Sequence, residues 1–169
     1  MRKYVYITGC DSGFGSIAVG LFEKKGFHVF AGCFFPASVE KLRSSTCVPV
    51  QLNVTQEASV LEAARIIKET LAQQNAELYA VINNAGILVQ PCPAEWQSLK
   101  DFRDMMEVNL FGTVSVTNSV LPLIRQSKGR IICVSSIAGR VGLPTEAACA
   151  FAFPRLIGAL GVAWCPTSN

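Results

Sequence analysis

The feature that most constrains the fold of this chain is an apolar run that leads directly into a group of glycines. Residues 4–7 read Tyr-Val-Tyr-Ile, and residues 8–15 read Thr-Gly-Cys-Asp-Ser-Gly-Phe-Gly. The run predicts a strand, and a helical pattern follows the glycines at once. Glycine permits backbone angles that other residues avoid and lets a ligand approach the main chain. The segment therefore predicts a strand, a tight turn and a helix whose N-terminus can receive a phosphate group.

The same alternation of strand and helix continues along the chain. We predict strands at 4–8, 27–33, 48–53, 79–83 and 131–135, and helices at 14–25, 57–74 and 98–121. Strands that alternate with helices favour a parallel sheet with helices on both faces. The expected fold is α/β, a doubly wound, Rossmann-like domain over residues 1–146 that is incomplete on its C-terminal side. A divergent apolar tail, residues 147–169, is expected to pack on or beside it.

The composition excludes several classes of protein. Half of the residues are hydrophobic and 16% are charged, which argues against disorder. The net charge is only +3 and the basic residues are spread out, so no nucleic-acid surface is predicted. The seven cysteines form no CxxC pair, and the single histidine, His28, lies in a predicted strand, so no metal site is predicted. We expect free thiols in an intracellular reducing compartment, cytoplasmic or organellar.

No targeting or membrane-spanning segment is predicted either. A strand begins near Lys3, which leaves no room for a signal peptide before it. The most apolar stretch, residues 147–166, is interrupted by Pro154 and Arg155 and does not have the pattern of a spanning helix.

Three further motifs follow the glycine-rich turn at corresponding places in the pattern. Asn83-Asn84-Ala85-Gly86 follows the fourth strand, Val-Asn-Leu-Phe-Gly-Thr at 108–113 lies in the next long helix, and Val-Ser-Ser-Ile-Ala-Gly at 134–139 begins in the fifth strand. In this order the four motifs resemble the short-chain dehydrogenase/reductase family, up to about Leu143. The glycine segment, with Val-Phe-Ala-Gly-Cys at 29–33, resembles the retinol, 17β-hydroxysteroid and 3-hydroxybutyrate dehydrogenase branch.

The resemblance implies a nicotinamide dinucleotide cofactor. The glycines of the first turn would line the pyrophosphate, and Asn53 stands where the family commonly has an aspartate near the adenine. The motif at 83–86 would lie beside the ribose, and a purely structural role for it is equally open. The predicted cofactor-binding set is Gly9, Asp11, Ser12, Gly13, Phe14, Gly15, Cys33, Asn53, Val54, Asn83, Ala85 and Gly86.

The choice between NAD and NADP is only weakly encoded. An acid about 20 residues after the glycines would bind the ribose hydroxyls of NAD, and an arginine there would favour the phosphate of NADP. Cys33-Phe34-Phe35 offers neither. Because the charge of Asp11 would repel an added phosphate, NAD is the expected cofactor.

The same resemblance implies hydride transfer between nicotinamide and an alcohol or ketone carbon, assisted by asparagine, serine, tyrosine and lysine. Asn109 and Ser136 match the first two as candidate catalytic residues. The alternatives are a polar side chain bonded within its helix for Asn109 and a turn hydroxyl for Ser136. The family spacing places Cys149 and Phe153 at the tyrosine and lysine positions, and no Tyr-x-x-x-Lys occurs anywhere in the chain. A phenol with a pKa of about 10 is a poor base without a neighbouring cation, so no turnover is expected.

Three hypotheses about function remain open at this point. By family resemblance the chain is an oxidoreductase that acts on the CH–OH group of a lipophilic alcohol or ketone, such as a retinoid or steroid, or of a small hydroxy acid. Alternatively it is a non-catalytic module that binds dinucleotide or pairs with itself or with full-length relatives. A third possibility is a product with an altered or shortened C-terminus and little independent function.

Overall fold

A five-stranded parallel sheet organises the part of the chain that the computed structural model describes, residues 1–89 and 92–139. The strand order is β3-β2-β1-β4-β5, so the chain reverses its direction of travel across the sheet between β3 and β4. This arrangement confirms the predicted doubly wound, Rossmann-like class. The strands are β1 (Arg2–Thr8), β2 (His28–Cys33), β3 (Cys47–Gln51), β4 (Ala76–Asn83) and β5 (Arg130–Cys133).

Helices cover both faces of this sheet. They are α1 (Gly13–Lys24), α2 (Pro36–Leu42), α3 (Glu57–Gln73), α4 (Leu99–Met106) and α5 (Thr113–Gln126). The helices α1 and α2 pack against β1, β2 and β3 on one face, whereas α3 and α5 pack against the other face. Within the ranges described, no helix is long and apolar enough to cross a membrane.

Each face of the sheet has its own buried core, because alternate residues of a strand point to opposite sides. On the α3 and α5 side, Tyr6 and Phe30 pack against Ile67 and Val120. On the α1 side, Ile7, Val29 and neighbouring strand residues pack against Val19. The sheet is therefore rigid at its centre, and the loops at the carboxyl ends of its strands are held in fixed positions.

Two parts of the predicted element pattern were wrong. The helix α2 was not predicted; Pro36 occupies a helix-starting position, but seven residues are too few to show a helical period. The single helix predicted at 98–121 is instead α4, a π-helical turn at Glu107–Gly112, and α5. The helix α5 also continues through Pro122 to Gln126, since burial of its inner face outweighs the proline.

Several sequence predictions concern residues 140–169, which lie outside the described residues. They are the domain boundary at residue 146, the apolar tail at 147–169, and the positions of Cys149 and Phe153 relative to the rest of the site.

Candidate cofactor-binding site

The candidate site lies at the carboxyl ends of β1 and β4, the adjacent strands from which the chain departs in opposite directions. Connections that leave neighbouring strands in opposite directions open a crevice between them, and ligands of doubly wound folds bind in that crevice. The glycine-rich turn follows β1, and the motif at residues 83–86 spans the end of β4 and the loop after it.

Side-chain hydrogen bonds join these two loops. The hydroxyl of Thr8 accepts from the main-chain N–H groups of Asn84 at 3.0 Å and Ala85 at 2.9 Å. In return, the amide Nδ2 of Asn84 donates to the carbonyl oxygens of Thr8 at 2.9 Å and Gly9 at 3.1 Å. The two loops therefore form one preorganised wall, which the side chains of Thr8 and Asn84 hold together.

The glycines of the turn are required by this close approach. Gly9 has φ +69°, and a Cβ there would lie 2.8 Å from the Cα of Ala85. A Cβ on Gly15 would lie 2.2 Å from the carbonyl oxygen of Gly9, so the turn would have to open. Gly13 is different: its φ is +56°, but a Cβ there would meet no protein atom within 4 Å. Within the described residues, the space beside Gly13 is therefore unfilled.

The N-terminus of α1 faces this turn without a capping side chain. Ser12 occupies the N-cap position but its hydroxyl makes no capping hydrogen bond, and the first turn of α1 contains no acidic residue. The first N–H groups of a helix carry a partial positive charge that attracts anions. The open space at Gly13 and this uncapped helix end together fit the pyrophosphate of a dinucleotide.

A cavity of about 910 Å³ extends from the turn across the ends of the strands. Three carboxylates line it, and no lysine or arginine is among the described residues that line it. Its walls are built by Gly9, Asp11, Ser12, Phe14, Phe34, Phe35, Leu52, Asn53, Val54, Thr55, Asn84, Ala85, Gly86, Ile87, Asp104, Glu107 and Val108.

The carboxylate of Asp11 closes one end of this cavity by holding the loop after β2. Its Oδ2 accepts the N–H of Phe34 and its Oδ1 accepts the N–H of Phe35, both at 2.9 Å. The rings of these two phenylalanines meet edge to face, with centroids 5.1 Å apart, and both are more than half exposed. A negative charge and two aromatic faces therefore stand together at the end of β2.

Eight members of the predicted cofactor-binding set line the cavity: Gly9, Asp11, Ser12, Phe14, Asn53, Val54, Ala85 and Gly86. Two more, Gly13 and Gly15, shape the turn and the start of α1 without being lining residues.

The remaining two, Cys33 and Asn83, lie in the protein core. Cys33 is fully buried, and burial together with the nearby charge of Asp11 raises the pKa of its thiol to about 11. Asn83 is 3% exposed, and its Nδ2 donates to the hydroxyl of Thr117 at 2.9 Å. This buried position of Asn83 agrees with the purely structural role that the sequence analysis left open for the motif at residues 83–86.

The side chain of Asn53 stabilises its own loop. Its Oδ1 accepts from the N–H of Thr55 at 3.1 Å and from the Thr55 hydroxyl at 2.8 Å. These two bonds use both lone pairs of the carbonyl oxygen, so any further hydrogen bond from this side chain is donated by its NH₂ group. The position thus offers a donor where an aspartate would offer an acceptor.

Sequence reasoning missed nine residues of the cavity wall. They are Phe34, Phe35, Leu52, Thr55, Asn84, Ile87, Asp104, Glu107 and Val108. Several adjoin predicted residues, and the sequence signal for Asn84 was present in the Asn-Asn-Ala-Gly motif. Asp104 and Glu107 had no such signal, because only the packing of α4 and of the π-helical turn after it brings them to the cavity.

The two candidate catalytic residues both have well-defined partners. Asn109 is buried in the π-helical turn; its Oδ1 accepts the N–H of Ile87 at 2.8 Å and its Nδ2 donates to the Ile87 carbonyl at 3.0 Å. The Ser136 hydroxyl accepts the N–H of Ala138 at 3.2 Å. Ile87 lines the cavity, so Asn109 positions its wall. None of the three tyrosines of the chain lines the cavity.

Comparison with known proteins agrees with this geometry. The family model of the short chain dehydrogenases matches residues 3–150. The chain belongs to this family. Its similarity to curated proteins places it in the retinol and steroid dehydrogenase branch, as the glycine segment predicted.

Three curated relatives illustrate this similarity. Dehydrogenase/reductase SDR family member 9 of Bos taurus is 45% identical over 142 residues, 82% of this chain and 44% of that protein. Retinol dehydrogenase 16 of Mus musculus is 41% identical over 144 residues, 83% of this chain and 45% of that protein. Human 17-beta-hydroxysteroid dehydrogenase type 6 is 42% identical over 142 residues, 82% of this chain and 44% of that protein. The match thus spans less than half of each relative.

Solved structures of the family share the fold. The protein ElxO with NADP bound superposes with a TM-score of 0.83 at 28% identity, over 94% of this chain and 65% of that one. A 3-ketoacyl-(acyl-carrier-protein) reductase from Brucella melitensis in complex with NADH gives a TM-score of 0.82 at 25% identity, over 92% of this chain and 66% of that one.

Proposed function

We propose that this chain binds a nicotinamide dinucleotide, NAD in preference to NADP, and does not turn over an alcohol or ketone by itself. The observation that carries the proposal is the uncapped N-terminus of α1 beside the open space at Gly13, at the reversal of the strand order. In active members of the family this cofactor supplies hydride transfer, a reaction that the proposal does not assign to this chain alone. The glycine turn and the first N–H groups of α1 would hold the pyrophosphate, and Asp11 and Asn53 would face the adenosine half.

The proposed absence of turnover rests on the missing proton-transfer groups. Ser136 and Asn109 are present, but Cys149 and Phe153 stand at the positions of the tyrosine and lysine. A substrate oxygen would therefore have a hydroxyl to orient it and no phenol–ammonium pair to exchange its proton. The names of two curated relatives, a retinol dehydrogenase and a 17-beta-hydroxysteroid dehydrogenase, suggest a lipophilic alcohol or ketone, and we propose that class for any ligand held next to the nicotinamide.

Titration with NADH tests the binding half of the proposal. We expect saturable enhancement of NADH fluorescence with the unsubstituted chain and at least about tenfold weaker binding in Gly13→Ala, because the added methyl group occupies the space next to the helix N-terminus. The positive φ of Gly13 makes this substitution cost about 1 kcal/mol in folding, so urea unfolding must show that the variant remains folded.

Gly20→Ala is the matched control, since a Cβ at Gly20 in the middle of α1 also meets no protein atom within 4 Å. It should leave NADH affinity unchanged. If the folded chain does not bind NADH, the chain is a product with little independent function and the proposal fails.

A turnover assay tests the other half. The purified chain with NAD and a panel of retinoid, steroid and short-chain secondary alcohols should form no NADH above the blank. If NADH forms and Ser136→Ala abolishes its formation, the proposal is contradicted and the chain is an active oxidoreductase.

A further inference from the structure

The hydrogen bonds of Asn53 leave its side chain with one kind of group to offer a ligand. Its Oδ1 accepts from both the N–H and the hydroxyl of Thr55. Because a main-chain N–H can only donate, the atom bonded to it is the side-chain oxygen and not the nitrogen. Both lone pairs of that oxygen are used, and the NH₂ group has no partner within the described residues. Asn53 lines the cavity, where it can therefore donate hydrogen bonds but not accept them.

The loop after β3 holds Asn53 in this orientation. Its main-chain N–H donates to the hydroxyl of Ser59 at 2.9 Å, and its carbonyl oxygen accepts the N–H of Gln56 at 3.1 Å. One residue earlier, the N–H of Leu52 donates to the carbonyl oxygen of Cys33 at 2.7 Å, which ties the loop to the end of β2. The side chain cannot turn its oxygen toward a ligand without losing the two bonds described above. The donor is consequently fixed before a ligand arrives.

The position of Asn53 along the cavity corresponds to the base of a bound dinucleotide, a step that rests on the function proposed above. The cavity extends across the carboxyl ends of β1, β2 and β3, where Asp11, Phe34 and Asn53 line it. When the pyrophosphate of a dinucleotide lies at the turn after β1, its adenosine ribose lies beside the end of β2. The base comes next, at the end of β3, where the apolar side chains of Leu52 and Val54 also line the cavity.

We infer that Asn53 makes this site selective for a purine with an oxo group at C6, such as hypoxanthine, over the 6-aminopurine adenine. The edge of adenine at this position carries a donor, the N6 amino group, beside the acceptor N7, whereas a 6-oxopurine carries two acceptors, O6 and N7. The two N–H groups of Asn53 match two acceptors. The amino group of adenine instead meets another donor, and a polar group that is left without a partner in a site lowers affinity.

Two carboxylates in the same cavity are alternative acceptors for the amino group of adenine. Asp104 is already paired with Lys100. The carboxylate of Glu107 has no ion pair within the described part of the chain, so it is the group whose effect must be separated from that of Asn53.

Paired titrations with NADH and with reduced nicotinamide hypoxanthine dinucleotide test the inference. The two probes differ only in the 6-substituent of the purine and the proton that it places on N1, and the fluorescence of the reduced nicotinamide reports on both. The unsubstituted chain should bind the hypoxanthine dinucleotide about tenfold more tightly than NADH, the effect of one unpaired polar group. Asn53→Asp should shift the ratio of the two affinities by at least about tenfold toward NADH, because its second carboxylate oxygen accepts from the amino group and repels O6.

Gln56→Glu is the matched control. It makes the same change from amide to carboxylate three positions later, on a residue that does not line the cavity and whose side chain does not cap α3. The ratio should stay unchanged in this variant, since a new charge repels the pyrophosphate of both probes equally. Urea unfolding shows that each variant is folded, and the comparison of the two probes on the unsubstituted chain needs no variant at all.

The possible failures are distinguishable. An affinity for NADH equal to or higher than that for the hypoxanthine dinucleotide would overturn the inference and leave the proposed dinucleotide binding intact, as would the same ratio in Asn53→Asp and Gln56→Glu. If the unsubstituted chain prefers NADH and Glu107→Gln removes that preference, Glu107 rather than Asn53 selects the base. Binding of neither probe would reject the proposed function and the inference with it.

Discussion

Asp11 is the side chain on which the proposed preference for NAD over NADP rests most directly. Its two carboxylate oxygens accept the N–H groups of Phe34 and Phe35, so the loop after β2 already holds an anion. Those N–H groups are consequently unavailable to the 2′-phosphate of NADP. The three carboxylates that line the cavity, with no lysine or arginine among its described lining residues, are unfavourable for a further negative charge.

Asp11→Asn is therefore expected to raise the affinity for NADPH relative to NADH by about tenfold, which corresponds to about 1.4 kcal/mol of removed repulsion. The side chain keeps one oxygen acceptor for the loop, so the fold should persist. Fluorescence titrations with both reduced dinucleotides measure the ratio. Glu57→Gln removes the same charge from the start of α3, away from the cavity lining, and should not change it; an unaltered ratio in Asp11→Asn would mean that Asp11 does not set the preference.

The π-helical turn Glu107–Gly112 is the element that links the long helical region to the cofactor site. Such turns are rare and are found frequently at functional sites. Here the turn brings the Asn109 side chain onto the main chain of Ile87, and it brings Gly112 so close to the loop after β3 that a Cβ would lie 2.7 Å from Val54. The turn thus fixes the positions of two lining residues, Ile87 and Val54.

Asn109→Ala should lower the free energy of unfolding by about 1–3 kcal/mol, because it leaves two partly buried main-chain groups of Ile87 without their partner. Urea unfolding measures this loss, and NADH affinity should fall in the same variant as the cavity wall relaxes. Asn118, exposed on α5, offers a comparable amide, and Asn118→Ala should cost less than about 0.5 kcal/mol. Equal costs for the two variants would show that the contact with Ile87 stabilises nothing.

At the scale of the whole molecule, the core on the α1 side contains three buried thiols, those of Cys10, Cys33 and Cys47. Burial raises the pKa of Cys33 to about 11 and of Cys47 to about 12, from an ordinary value of about 9, and also raises the pKa of Cys10. The folded protein therefore keeps these thiols protonated at a pH where the unfolded chain has already ionised them. Their contribution to stability is complete below about pH 9 and is lost as the pH rises toward 11.

Urea unfolding at pH 8 and pH 10.5, under reducing conditions, should show a loss of about 1 kcal/mol per pH unit for each such thiol. Cys47→Ala should make that decline shallower by about 1 kcal/mol per pH unit, whatever its effect on stability at pH 8. A decline of the same steepness in Cys47→Ala would assign the pH dependence to other groups.

What the sequence determined by itself was local. The apolar run at residues 4–7 and the glycines after it define a strand, turn and helix, because apolar strands must be buried and tight turns need positive φ. The motifs also identified the family and showed that Tyr-x-x-x-Lys is missing, since both depend on residue identity and order alone. Short or irregular elements were not predicted: α2 and the π-helical turn have no hydrophobic period of their own.

Only the tertiary structure decided which of these side chains meet. Asp11 bonds to Phe34 and Phe35, and Asn84 bonds to Thr8 although 76 positions separate them in the sequence. Asn83 and Asn84 are neighbours in the same motif, yet one is buried beside Thr117 and the other joins the walls of the site. The physical reason is that a polar group forms hydrogen bonds with the groups that lie next to it after the strands have paired. Strand order and burial, which decide those neighbours, are properties of the assembled sheet.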